Sequence, residues 1–199
     1  YTLDGSTWQA IGGVSVGAAR LLPGDGVTRV RFVPDPDWNG VTGLFQYRAW
    51  DLSTGSAGGL ADTSVNGGSS AFSFGINGST LSVAPVNDAP SGTDATIVLT
   101  ESGSHVFAAG DFGFNDVDGN ALSAIQITTL PGAGVLTLAG TRLTANTVVA
   151  AGQLGSLVYT PNPGQSGAPY ATIGFRVIDD GGTANGGSDT SGVPNTLRF

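Results

Sequence analysis

Apolar and polar residues trade places along this chain in short beats. Between residues 91 and 199, seven segments are rich in β-branched or aromatic residues: TIVLTE (96–101), HVFAAGDFGF (105–114), SAIQITTL (123–130), VLTLAG (135–140), LVYTP (157–161), ATIGFRVID (171–179) and NTLRF (195–199). Clusters of Gly, Pro, Asn, Asp and Ser separate them. Short runs of this kind, bounded by turn residues, predict β-strands. No stretch sustains the 3.6-residue period of an amphipathic helix, and TVVAAGQLGS (147–156) has room for a single helical turn.

The pattern also repeats. RVRFVPDPDWNG (29–40) matches SLVYTPNPGQSG (156–167), with Pro34 on Pro161 and Gly40 on Gly167, both 127 positions apart. FQYRAWD (45–51) matches the stretch ending FRVIDD (175–180), placing Arg48 on Arg176 and Asp51 on Asp179, 128 apart. Gly-rich loops follow both, and each contains Asp-Thr-Ser, at 62–64 and 189–191. Three blocks holding one register to within a residue mark two copies of a single module. The expected organisation is the C-terminal half of a first repeat at 1–86, a Pro-bracketed linker at 87–90, and a nearly complete second repeat at 91–199. About forty residues of the first module are expected upstream of Tyr1. About seven strands per module fit an all-β, immunoglobulin-like Greek-key sandwich without the Cys pair of a true immunoglobulin domain.

Composition narrows the chemistry. The chain has no Cys, no Met and no Lys, with seven Arg, one His, fourteen Asp and one Glu, for a net charge of -8. Without Cys there is neither a disulfide nor a thiol nucleophile, and without Lys neither a Schiff base nor a phosphate-loop lysine. So few cations argue against a nucleic-acid partner. No apolar run approaches the roughly 20 residues of a membrane-spanning helix, and no basic, then apolar, leader opens the chain. Enzymatic activity is not expected.

Carboxylates remain, and they cluster. Asn87 and Asp88 lie in the linker; Asp116, Asp118 and Asn120 alternate in FNDVDGN (114–120); Asp179 and Asp180 end the long strand. Calcium takes six to eight oxygens from such groups, and alternate spacing aims two carboxylates to one side. Strands that alternate in direction bring these clusters to the linker end, whereas Glu101 should lie at the opposite pole.

These residues resemble bacterial cadherin-like repeats of large surface adhesins. Asn87, Asp88 and Pro90 match the linker motif, Asp116 and Asp118 the acidic pair that follows it, and Asp179 the late acid. Glu101 resembles the glutamate that serves the next linker. DVDGNALSAIQITTLPGAGVLTLAG and VIDDGGTANGG carry the likeness in the second copy, and STWQAIG, RAWD and PVNDAP in the first. The linker lacks the family's leading Asp and trailing Asn. The resemblance implies a secreted, cell-surface stalk repeat with calcium at the junction, serving adhesion or biofilm formation, with neighbouring repeats of the same long chain as its partners.

Two other roles compete. In one, Trp38, in the turn DPDWNG (35–40), contacts cell-surface glycans in a carbohydrate-binding module. In the other, the chain is a filament or matrix subunit whose first module an identical neighbouring chain completes. Asp35, Asp37 and Asn39 also resemble the opening of a calcium loop, but the matching copy reads NPGQSG, so a turn is expected. Adjacent Ser104 and His105 point to opposite faces of a strand and form no nucleophile–base pair.

Overall fold

The structure, a computed structural model, describes residues 1–199. The chain is all-β, and its only helical segments are three short 3-10 turns. It divides into two compact units, Tyr1–Pro85 and Val86–Phe199.

In the first unit the strands are two or three residues long: β1 (Ala19–Arg20), β2 (Gly40–Val41), β3 (Phe45–Tyr47), β4 (Leu60–Ala61), β5 (Asn77–Ser79) and β6 (Ser82–Val83). They form three separate antiparallel pairs, β1–β4, β2–β6 and β3–β5. The buried core is Leu21, Ala71 and Phe72, with Trp50 and Ala61 packed on it. Between strands, Asp side chains hold the loops by accepting main-chain N–H groups two or three residues ahead. Asp4 binds Ser6 and Thr7 this way, and Asp25 binds Val27 and Thr28. Such Asx turns need no second layer to form.

The second unit has nine strands: β7 (Ala95–Thr96), β8 (His105–Val106), β9 (Leu122–Thr129), β10 (Val135–Leu138), β11 (Thr141–Arg142), β12 (Val148–Ala150), β13 (Leu157–Thr160), β14 (Thr172–Asp179) and β15 (Asn195–Arg198). One sheet has the order β12-β9-β14-β15-β7 and the other β11-β10-β13-β8. All pairs are antiparallel except β15–β7. Along β14 the period of two is clean: Ile173, Phe175 and Val177 are fully buried, and the residues between them are not. They join Ile125 and Ile127 of β9, Leu136 of β10, Leu157 and Tyr159 of β13 and Leu197 of β15 in one core shared by both sheets. Each such side chain contributes about 1.5–3 kcal/mol when removed from water.

Three local expectations change. The strand expected over 105–114 stops after Val106. The Asp111 carboxylate accepts the Ala108 N–H at 2.8 Å, and Gly113 turns left-handed at φ 53°. The 3-10 turn so formed, Ala109–Phe112, drops Phe112 into the core. The single turn allowed at 147–156 becomes strand β12 followed by a 3-10 turn, Ala151–Ser156, that buries Leu154. The strand expected at 96–101 shrinks to β7 and one further rung, because a turn closes from Gly103 N–H to the Thr100 carbonyl.

Candidate cation-binding pole

Four stretches of the second unit meet where β14 ends and β9 begins, since Asp179 faces Leu122 across the ladder. The segment expected as linker is fastened here. Asn87 accepts the Ser188 N–H through its carbonyl at 2.9 Å, Pro90 is buried, and Ser91 bridges to Asn115. The loop 116–120 then leads into β9, and the Gly-rich loop after β14 completes the ring.

Asn87 is the hub. Its side-chain amide donates to Asp179 Oδ1 at 3.0 Å and to the Ser188 carbonyl at 2.8 Å. Its side-chain oxygen accepts from Asn120 Nδ2. Asp179 Oδ1 also accepts the Gly181 N–H at 2.8 Å. Asp116 Oδ1 accepts the Asn120 N–H at 2.9 Å, Asp118 Oδ2 the Asp88 N–H at 2.7 Å, and Asp180 Oδ1 the Ala121 N–H at 2.8 Å. Gly181 and Gly187 are required by this crowding. A Cβ on Gly181 would overlap the amides of Asn87 and Asn120, and one on Gly187 would press on the Asn87 backbone.

Each of two carboxylates keeps one oxygen in reserve. Asp116 Oδ2 and Asp179 Oδ2 are sealed from water and have no hydrogen-bond partner, and Asp179 as a whole is only 3 % exposed. A buried carboxylate oxygen without a partner is costly, because nothing replaces the water it has lost. The chain's two ion pairs, His105–Asp111 and Arg198–Asp94, involve neither residue. A hard divalent cation is the ligand such oxygens suit, with amide and main-chain oxygens completing the shell. Carboxylate and imidazole groups alone do not gather three deep in a metal-holding arrangement, so the side-chain oxygen of Asn87 and nearby carbonyls would have to take part.

Asn87, Asp88, Asp116, Asp118 and Asp179 thus share one pole. Glu101 does not join them. It sits exposed in the turn after β7, beside Tyr170 and Phe199, at the end of the sheet where β14 starts. Asn120, Ser188, Gly181 and Gly187 belong to the pole although they are not among the expected ligands. Asn120 stands beside Asp116 and Asp118 in the sequence, whereas the two-Gly runs at 181–182 and 186–187 are the only trace of Gly181, Gly187 and Ser188. Elsewhere, Asp35 and Asp37 form a turn closed by the Trp38 N–H on the Asp35 carbonyl, and the Trp38 ring lies edge-on to Phe32 at 5.5 Å. His105 pairs with Asp111 at 2.9 Å.

No protein-family model matches the chain, and no curated protein or solved structure matches it.

Proposed function

We propose that the chain is a pair of tandem repeats from an extracellular, cell-surface stalk of the cadherin-like, immunoglobulin-like Greek-key kind, and that calcium at the pole of the second repeat stiffens it. The observation that carries this reading is the pair of buried, partnerless carboxylate oxygens, Asp116 Oδ2 and Asp179 Oδ2, in a shell already ordered by Asn87. The internal repeat supports a role that one module alone does not fill, because repeated modules lengthen a chain. Asn87, Asp88, Asp116, Asp118 and Asp179 would hold the ion. When bound, it would supply positive charge to a pole that is otherwise only acidic.

The chain's own residues set the coupling. The polypeptide enters the second unit through Asn87 and Asp88, and both are tied to the loops that carry the other acids. Without a cation, the like charge of these carboxylates would loosen that entry; with one, the charge would be offset and the entry pinned. The role is mechanical and needs no catalytic group. Small-angle scattering of the chain in millimolar calcium and in chelator tests it. A narrower distance distribution with calcium is expected, and identical curves would contradict the stiffening role.

A further inference from the structure

Two turns built on one plan differ in their chemistry. In the first unit the Trp38 N–H donates to the Asp35 carbonyl at 3.2 Å, and in the second the Gln165 N–H donates to the Asn162 carbonyl at 3.4 Å. Pro36 and Pro163 hold the second position of each turn. The third position is left-handed in both, at φ 60° in Asp37 and φ 68° in Gly164. Glycine is the usual occupant there, because a side chain is strained at positive φ. The second copy follows that rule, whereas the first keeps a carboxyl. The residue before the proline differs too, a carboxamide in Asn162 and a carboxyl in Asp35. Asp35–Pro36 is the single Asp–Pro bond among the chain's ten prolines.

The first turn brings together what breaking its own Asp–Pro bond needs. An Asp carboxyl oxygen reaches its own main-chain carbonyl carbon by closing a five-membered ring, and such an intramolecular attack is favoured by the short tether. The proline nitrogen belongs to a tertiary amide and leaves as a secondary amine that readily takes a proton. The Trp38 N–H already donates to the carbonyl oxygen on which negative charge would develop. Water has access, because residues 35–38 are exposed, as are residues 162–165 of the matching turn in the fuller unit. Asp35 belongs to neither of the chain's two ion pairs, and Asp37 is the other titratable group of the turn.

We propose that the turn at 35–38 is a self-cleavage site, at which the Asp35 carboxyl cuts the Asp35–Pro36 peptide bond. In its acid form the carboxyl gives its proton to the Pro36 nitrogen while its oxygen attacks the Asp35 carbonyl carbon. The new C–O bond forms as the C–N bond breaks. The products are a cyclic anhydride at Asp35 and a secondary amine at Pro36. One water then opens the anhydride, leaving Asp35 as a C-terminal residue with two free carboxyl groups. The net reaction is hydrolysis, and no oxidant, reductant or metal enters it. Strand β1 and Leu21 lie before the cut, and their partners β4 and Phe72 lie after it. Cleavage thus converts a covalent join within the first unit into one held by packing. The inference goes beyond the stalk reading and does not depend on calcium.

The test incubates the whole 199-residue chain at pH 7 and pH 5 and follows it by denaturing intact-mass spectrometry. The expected products are 1–35 and 36–199, with masses that add up to the chain plus one water. Between the two pH values the rate should rise by roughly a hundredfold, since the scarce acid form of a carboxyl grows tenfold per pH unit. Asp35→Asn makes the turn resemble its folded counterpart at 162–165 and should slow the cut by about a hundredfold or more. Asn162–Pro163 serves as the internal control and should stay intact. In concentrated urea at pH 5, with unfolding checked by circular dichroism, the turn's hydrogen bond is lost and the cut should slow by about tenfold. No cut at 35–36, or an equal rate in Asp35→Asn, overturns the proposal. An equal or faster rate in urea does so as well, because the folded turn then contributes nothing.

Discussion

Single atoms set the chemistry of the acidic pole. Gly181 illustrates how tightly it is built: an Ala there leaves no room for the Asn87 and Asn120 amides. Gly181→Ala should therefore leave the second unit folded, since the residue is exposed and lies beyond β14. It should abolish any calcium-induced rise in thermal midpoint, as measured by circular dichroism. Asp94 shows the opposite situation, an acid fully supplied with partners. The Thr196 N–H donates to it, and this holds its carboxyl below the usual carboxylate value, against partial desolvation and with help from Asn195 and Arg198. A lowered folded pKa means that ionised Asp94 stabilises the fold above the ordinary carboxylate value, near 4. That contribution disappears as pH falls from there through the lowered folded value. Asp94→Asn should flatten the loss of stability below about pH 4, in acid titrations followed by fluorescence or circular dichroism, and change little near neutrality.

Among the elements, β14 and β3 make the sharpest comparison, since they share a sequence pattern and differ in cover. Phe175 is fully buried against Phe112 and the second sheet, so Phe175→Ala should cost about 3–5 kcal/mol in chemical denaturation. Tyr47 is half exposed, and Tyr47→Ala should cost less than about 1 kcal/mol by the same measurement. Equal losses at both positions would show that the first unit is packed as tightly as the second. The same contrast shows what was legible in the sequence. Short runs of β-branched and aromatic residues bounded by turn clusters located β9, β10, β13, β14 and β15 to within a residue or two. The segment 105–114 misled, since Gly113, at φ 53°, lets an apolar run turn and the Asp111 side chain supplies the turn's hydrogen bond. The match of FQYRAWD to the β14 sequence was visible as a repeat. Alternation alone does not reveal whether an opposing layer exists, so the shallow core of the first unit was not legible.

At the scale of the molecule, the repeat register and the division between Pro85 and Val86 organise everything else. The convergence of Asn87, Asp88, Asp116, Asp118 and Asp179 could be anticipated from loops at one end of alternating strands. The hub role of Asn87 could not, because it depends on side-chain amide contacts across 92 and 33 positions of sequence. The central claim is that the pole of the second unit binds calcium in the folded state. Thermal unfolding in excess chelator and in millimolar calcium tests it most directly. Binding to the folded form alone adds RT ln(1 + [L]/Kd), about 2.7 kcal/mol at a hundredfold excess over Kd, which is several degrees for a unit of this size. The account predicts a clear upward shift in the wild-type chain that is lost in Asp116→Asn and Asp179→Asn. An unchanged midpoint in the wild-type chain, or an equal shift in both variants, would contradict it.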